Sequence, residues 1–278
     1  MLKYPFYLFY ILLKFLNIFF LKLFKKSFLN YLYELIREDS YKILYFNNKR
    51  LTFFIPSLLS RWRVETFFSK EPDTIEWINN FENKKNIIFW DIGANIGLYS
   101  LYCSIKKNKI SVVSFEPSPS NLVLLTRNIS INSLRNIEVS PIPICSKKKA
   151  HMNFFENNFK EGSAFNLYSE NFTKNKSNKF RSLGFSIDYL VLNKIYNIPN
   201  YIKIDVDGIE SEILIGGKNT FYNKKIKSVL VEIDKSILNN NNFIINFFKE
   251  RDFFYDKEIY YNYNIKNQST YNLIFYRK

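Results

Sequence analysis

The rhythm of apolar and polar positions changes several times along the chain, and each rhythm predicts a different element. Residues 4–24, "YPFYLFYILLKFLNIFFLKLF", are apolar almost throughout. At about 100° per residue, Lys3, Lys14, Asn17, Lys22 and Lys25 share one side with Tyr7 and Tyr10, and Leu, Ile and Phe fill the rest. Residues 1–26 are therefore expected to form a basic amphipathic helix lying in a membrane interface, its lysines toward anionic headgroups. A helix packed on its own domain ranks second. A spanning helix has the length but ranks third, because Lys14, Asn17 and Lys22 are each costly inside a bilayer. A cleaved signal peptide fits worse: lysines interrupt the apolar run and no small-residue cleavage site follows.

Residues 27–85 read as a connecting extension. "SYKILYFNNKRLTFFIP" alternates around a polar turn and predicts a hairpin. "EPDTIEWINNF" predicts a short helix starting near Pro72 or Asp73. From residue 86 to 278 strands and helices alternate, which predicts an α/β fold with a parallel sheet and crossover helices. The strands are "NIIFWDIG", "KISVVSFEP", "NIEVSPIPIC" (weakened by two prolines), "NYIKIDVDG" and "KSVLVEID". A helix follows each of the first two, with Ser118 capping the second. Helices also follow the last two. "EIYYNYNI" and "YNLIFYRK" are expected to close the chain as an antiparallel pair. Residues 147–198 form a longer insert whose polar centre reads as a mobile loop.

Composition changes this picture little. The chain has 278 residues and is 47% hydrophobic, enough for a sizeable core. The net charge of +15 raises the question of a polyanionic partner. The lysines are dispersed, however, and the longest run is Lys147-Lys148-Lys149, so solvated faces explain them better and nucleic acid is not expected as a partner. Two cysteines, Cys103 and Cys145, show no disulfide or zinc spacing and fit a reducing cytoplasm. His151, the single histidine, reads as a surface or packing residue rather than a general base, and Trp90 as core.

Glycine is scarce at seven residues, and two of them sit in "FWDIGANIGLYS". A strand ending at Asp91, a turn through Gly93, Asn95 and Gly97, and a helix beginning behind it form a nucleotide-type site. Glu116, at the end of the second strand, stands where a ribose-binding carboxylate is expected. The missing middle glycine of Gly-x-Gly-x-x-Gly disfavours a nicotinamide dinucleotide. A retained carboxylate, Asp91, suits a ligand carrying positive charge, such as S-adenosylmethionine.

These segments resemble, in order, the FkbM family of S-adenosylmethionine-dependent methyltransferases. "IIFWDIGANIGLYSLYCS" is similar to its cofactor loop, and "VVSFEPSPSNLVLLTRNISIN" to its second strand and helix. "FSIDYL" is similar to a short segment before strand four. "YIKIDVDGIESEILIGG" resembles its Lys-Ile-Asp-x-Glu-Gly-x-Glu signature, with Asp207 in place of the usual Glu, and "VLVEID" its fifth strand. The resemblance covers roughly residues 50–278. It implies a Rossmann-like class I methyltransferase sheet, mostly parallel with an antiparallel last strand, behind an N-terminal helical and hairpin extension. It implies methyl transfer to oxygen, often on a sugar. Strand three lacks a carboxylate for adenine, so backbone or Ser146 would supply those contacts.

Methyl transfer from a sulfonium needs alignment above all, and a base only where a hydroxyl must lose its proton. The strand ends supply Asp91, Glu116, Asp205, Asp207 and Glu232, with Glu210 early in the next helix. Asp205 is the first candidate for positioning or deprotonating the acceptor, followed by Asp207, Glu210 and Glu232. Asp207 and Glu210 also have a structural reading, as caps of the helix after Gly208. A divalent ion on Asp205, Asp207 and Glu232 is left open. The expected protein is an O-methyltransferase acting on a sugar of a glycan or lipid-linked saccharide, cytoplasmic and peripheral on the inner membrane face. The alternative is a basic module of the same fold without catalysis, bound to anionic membrane or nucleic acid.

Overall fold

The computed structural model describes residues 3–155, 162–163, 167–169, 179–206, 208–236, 238–256 and 269–277. The chain begins with α1 (Lys3–Phe24) and α2 (Phe28–Glu38), then the hairpin of β1 (Tyr41–Phe46) and β2 (Lys49–Phe54). Asn47 and Asn48 take positive φ at its two-residue turn, the conformation that matches the twist of paired strands. Helices α3 (Leu58–Glu65), α4 (Phe67–Lys70) and α5 (Pro72–Asn79) follow. Ser57 starts α3 by accepting from the Ser60 backbone N–H, while the Ser60 hydroxyl accepts from the Ser57 N–H.

The remainder runs β3 (Ile88–Ile92), α6 (Leu98–Lys106), β4 (Ser111–Phe115), α7 (Pro119–Ile131), β5 (Ile137–Ser140), β6 (Lys149–Phe155), β7 (Leu167–Ser169), β8 (Lys179–Phe185), α8 (Ile187–Leu192), β9 (Tyr201–Ile204), α9 (Glu210–Gly216), β10 (Ser228–Asp234), α10 (Leu238–Lys249), β11 (Phe254–Tyr255) and β12 (Thr270–Tyr276). Seven strands form one sheet in the order β11-β12-β10-β9-β3-β4-β5. The five strands from β10 to β5 are parallel, and β12 runs antiparallel to β10. The chain enters at β3, winds outward to β5, then returns to β9 beside β3. That reversal makes the crevice between the β3 and β9 ends the place where such sheets bind ligands.

One expectation changes. The third strand stops at Ser140, because Pro141 and Pro143 have no N–H to give a ladder. Ile144 instead pairs with Phe185. The insert contributes the antiparallel sheet β7-β6-β8 and helix α8, while 156–161, 164–166 and 170–178, which hold most of the polar centre read as a mobile loop, lie outside the described residues. "EIYYNYNI" also lies outside them, and the described partners of β12 are β10 and β11.

Two apolar cores lie on the faces of the large sheet. One gathers Trp90, Phe115, Ile202, Phe221 and Phe248. The other joins extension residues Phe53, Phe54, Phe67, Trp77 and Phe81 to Phe89, Leu101, Leu124 and Tyr201 of the sheet and its helices. Residues 51–81 thus share a core with the elements after residue 86. Asn128 ties the two in place: its side chain accepts from Phe54 N–H at 2.8 Å and donates to Ile96 C=O at 2.9 Å.

Helix α1 is different. Every large apolar residue from Tyr4 to Phe24 except Leu13 is at least 42% exposed, so the packed alternative is not what the structure adopts. Asn17 also has partners within the chain. Its carbonyl accepts from Ser27 Oγ at 2.9 Å and from Leu29 N–H at 3.3 Å, fastening the turn into α2.

Candidate active site

Gly93 shows how tightly the strand ends converge. Its φ is +87°, and a Cβ there would stand 1.9 Å from the backbone oxygen of Asp205. The loop after β3 therefore approaches the end of β9 with no room for a side chain. Gly97, at φ +89°, opens α6 as the glycine turn predicts, and it also has a packing role. An added Cβ would meet methyls of Leu125 and Leu101 at 2.5 and 2.6 Å, so its smallness lets α6 pack against α7.

Two cavities meet at this point, both lined by Gly93, Asn95, Ser163 and Asp205. The smaller is an apolar slot between Phe115, Ile142, Ile144, Val206 and Ile213, with Glu116 on its wall. Glu116 accepts from Asn95 N–H at 2.7 Å and Ser118 N–H at 2.8 Å, so it joins the first loop to the start of α7. Asn95, at φ +52°, also donates to Ser163 C=O at 3.0 Å. The larger cavity is a cleft of about 650 Å³, within the usual range for a ligand site. Its lining includes Trp62, Arg63 and Lys70 from α3 and α4, then Glu71, and Glu232 and Asp234 from β10.

Along the larger cavity runs a charge network that the sequence pattern does not reveal. The Lys203 side chain is 1% exposed and its ammonium pairs with the Asp205 carboxylate. It also sits 4.8 Å from the centre of the Tyr99 ring. The Tyr99 hydroxyl donates to Glu71 Oε2 at 2.7 Å, and the Asn272 amide donates to the same oxygen at 2.8 Å. Burial alone would lower the Lys203 pKa, but Asp205, Glu71 and Asp91 outweigh it and hold the ammonium charged well above its usual range. Burial pushes the Asp205 carboxyl up, and Lys203 more than reverses this, leaving it below the usual range. One signal was available: Lys203 is a charged residue inside the apolar run "YIKI", and a lysine seldom sits fully buried without a partner.

The other predicted acids fall into distinct places. Asp91 is fully buried and lines neither cavity, which corrects its reading as a direct ligand group. It accepts from Ser100 Oγ at 2.6 Å, and its Oδ1 has no partner among the described residues. Burial raises its pKa against the opposing pull of Lys203. Glu210 is also withdrawn from both linings. It accepts from Val206 N–H at 3.3 Å and Gly208 N–H at 3.1 Å, bracing the loop after β9 rather than capping the helix, and burial raises its pKa. Ser146 lines neither cavity, because Pro141 and Pro143 end β5 early and bring Ile142, Pro143 and Ile144 to the slot instead. Asp207 lies outside the described residues. No group of three His, Cys, Asp or Glu side chains is placed to hold a metal among the described residues. His151 is exposed, and Trp90, Cys103 and Cys145 are buried.

The site fits S-adenosylmethionine on its own terms. The slot offers an apolar sandwich beside a carboxylate, the Gly93 loop is a cradle that a Cβ would fill, and the adjoining cleft carries excess carboxylate for a cationic ligand. A doubly wound parallel sheet with one antiparallel strand and this pocket at its reversal point defines a class I S-adenosylmethionine-dependent methyltransferase. Comparison with known proteins agrees. The model of the Methyltransferase FkbM domain matches residues 91–255, more than half of the chain, and the protein belongs to that family. It is 27% identical over 188 residues to the hexuronic acid methyltransferase AglP of Haloferax volcanii, covering 66% of this chain and 71% of that one. Solved structures that it resembles include a methyltransferase FkbM from Methylobacillus flagellatus, with TM-score 0.46, 16% identity, and coverage of 71% of this chain and 44% of that one. The M. jannaschii TYW2 complex with AdoMet gives TM-score 0.42 at 8% identity, covering 86% of this chain and 87% of that one.

Proposed function

We propose that this enzyme methylates a sugar hydroxyl of a glycan or lipid-linked saccharide. One observation carries the reading: Asp205, held ionised by Lys203, opens onto both the cofactor-type slot and the large cleft. The name of the AglP relative supports a sugar acceptor. S-adenosylmethionine, when bound, would supply an electrophilic methyl for the acceptor oxygen, with S-adenosylhomocysteine as the leaving group. The chain's own residues do the rest. Phe115, Ile142 and Ile144 enclose the adenine, and Glu116 takes the ribose hydroxyls. Gly93 and Asn95 bring the backbone against the ligand. Asp91 acts from beneath, setting the field under the loop. Asp205 orients the acceptor hydroxyl and accepts its proton, and Glu232 lies in the same cleft.

Labelled S-adenosylmethionine offered with uronate-containing oligosaccharides tests the reading. Label should enter the saccharide and resist mild alkali, as an ether does and a methyl ester does not. Label appearing only in protein or non-sugar acceptors would refute it. The variant Asp205→Asn should lose about 100-fold in kcat, the lower end for losing a general base, with KM for S-adenosylmethionine little changed. Glu116→Ala should weaken S-adenosylhomocysteine binding about 10-fold by calorimetry, because charge-assisted hydrogen bonds are lost.

We also propose that α1 rests in an anionic membrane interface. Its 22 residues present apolar side chains over most of the circumference, and Lys14, Lys22, Lys25 and Lys26 add attraction of about 1 kcal/mol each near such a surface. Full-length protein should float with phosphatidylserine-containing vesicles, come off with salt, and bind pure phosphatidylcholine less. Retention on both vesicles through an alkaline carbonate wash would point to a spanning helix instead.

A further inference from the structure

One wall of the large cleft comes from outside the span matched to the family. Trp62, Arg63 and Lys70 stand on α3 and α4, in the extension, yet line the same cavity as Asp205. The other charged groups of that lining are Lys203 and the carboxylates Glu71, Asp205, Glu232 and Asp234. Such a cleft repels an anionic acceptor unless a cation is reserved for it.

Its three cations are not equivalent. Lys203 is matched with Asp205, and Lys70 with Glu71 at 3.1 Å. Arg63 makes no close ion pair with a carboxylate among the described residues, although its charge, like that of Lys70, reaches Asp205 across the cleft and helps to keep it ionised. Its one hydrogen bond among those residues runs from Nε to the carbonyl of Gly162, at 2.6 Å. Gly162 itself is fixed, its N–H donating to Asn121 Oδ1 at 2.9 Å. The Arg63 fork is therefore oriented by one edge, while the two terminal nitrogens remain for a ligand. Two parallel N–H donors match a carboxylate in a way that a lysine cannot. Beside it the Trp62 side chain is 46% exposed, with the Lys70 ammonium 5.8 Å from its ring centre. An exposed indole in a cleft gives an apolar face for a pyranose ring.

We propose that Arg63, assisted by Lys70 and the face of Trp62, forms the acceptor subsite for the carboxylate of an acidic saccharide, a hexuronate residue. This rests on the sugar-hydroxyl reading above and adds to it. Clamping the carboxylate on the α3–α4 wall keeps it away from Asp205 and turns a ring hydroxyl toward that base. Arg63 is thus a specificity residue: it selects acidic over neutral sugars and decides which oxygen faces the donor.

The test is calorimetry on the full chain saturated with S-adenosylhomocysteine. The probes are a glucuronate-containing disaccharide and the same disaccharide with its carboxyl reduced to the alcohol. The wild type should bind the acidic probe about 10- to 100-fold tighter, the range for a charge-assisted hydrogen-bonded pair. Arg63→Gln should bring the acidic probe down to within about threefold of the reduced one, and Lys70→Met should remove a smaller share. S-adenosylhomocysteine binding by each variant confirms that it is folded. Equal wild-type affinity for the two probes, or an intact preference in Arg63→Gln, overturns the subsite while leaving sugar methylation standing. If neither disaccharide binds or accepts label, the sugar reading falls, and this proposal falls with it.

Discussion

Gly93→Ala should destabilise the protein by about 4 kcal/mol or more and abolish measurable binding of S-adenosylhomocysteine. Two costs add. An alanine at φ +87° is strained by about 1–3 kcal/mol. Its Cβ would also lie 1.9 Å from the Asp205 backbone oxygen and 2.9 Å from the carbonyl carbon. Those are backbone atoms at the end of a buried strand, so relief requires parting β3 from β9. That movement displaces Asp205 and opens the junction of the two cavities, where a shift of about 1 Å is enough to cost 100-fold. Gly97→Ala is the control. Its φ is similar, at +89°, but its Cβ would meet the ends of Leu101 and Leu125, which can rotate. It should cost less than half as much and leave ligand binding detectable. Thermal unfolding and calorimetry read both variants. A Gly93→Ala protein within 1 kcal/mol of wild type would mean that the loop is not held against β9 as described.

Lys203→Met should cost about 3 kcal/mol, the low end for removing one partner of a buried pair. The low end applies because the Asp205 side chain is 25% exposed and water screens part of the loss. The pH dependence separates this from a simple packing defect. In the wild type the Asp205 pKa is depressed, so its contribution is present above the ordinary carboxylate range and lost as pH falls through the lowered value. The Lys203 pKa is raised, so its contribution is fully present below the ordinary lysine range and lost only as pH rises through the higher value. The pair is therefore at full strength through neutrality. Without Lys203, burial decides for Asp205 and for Asp91 beside it, and both carboxyls rise. A raised carboxyl contributes stability at low pH that disappears as pH rises through its folded value. The variant should lose stability between mildly acid and neutral pH more steeply than wild type, and lose most of its activity. Parallel stability curves for the two proteins would show that Lys203 only fills space.

Much of the fold was legible because its signals are local. Hydrophobic runs of strand length, Ser118 before Pro119, and the asparagine turn at 47–48 each act within a few residues. The elements they predict stand close to their expected places. The strand pairing inside the insert was not legible, for the opposite reason. Strands β6 and β8 are held by pairing across more than twenty residues, and their polar sequence carries little alternation of its own.

The site was legible in part. Strand-end acids announce themselves by position, and Glu116 and Asp205 do meet at one pair of cavities. Burial, however, is not local. It put Asp91 under the floor, turned Glu210 into a brace for its loop, and left Ser146 outside. Glu71 and Asn272 lie 201 positions apart and share a hydrogen bond beside Tyr99.

By itself, the sequence determined the order and type of the elements, the parallel sheet, the glycine turn and the family. These depend on side-chain periodicity and on φ preferences, which neighbouring residues set. Only the tertiary structure decided which acids face a ligand, which lysine neutralises them, and that the extension walls the cleft. Electrostatic energy depends on distance and on exclusion of water, and both exist only once distant segments have packed together.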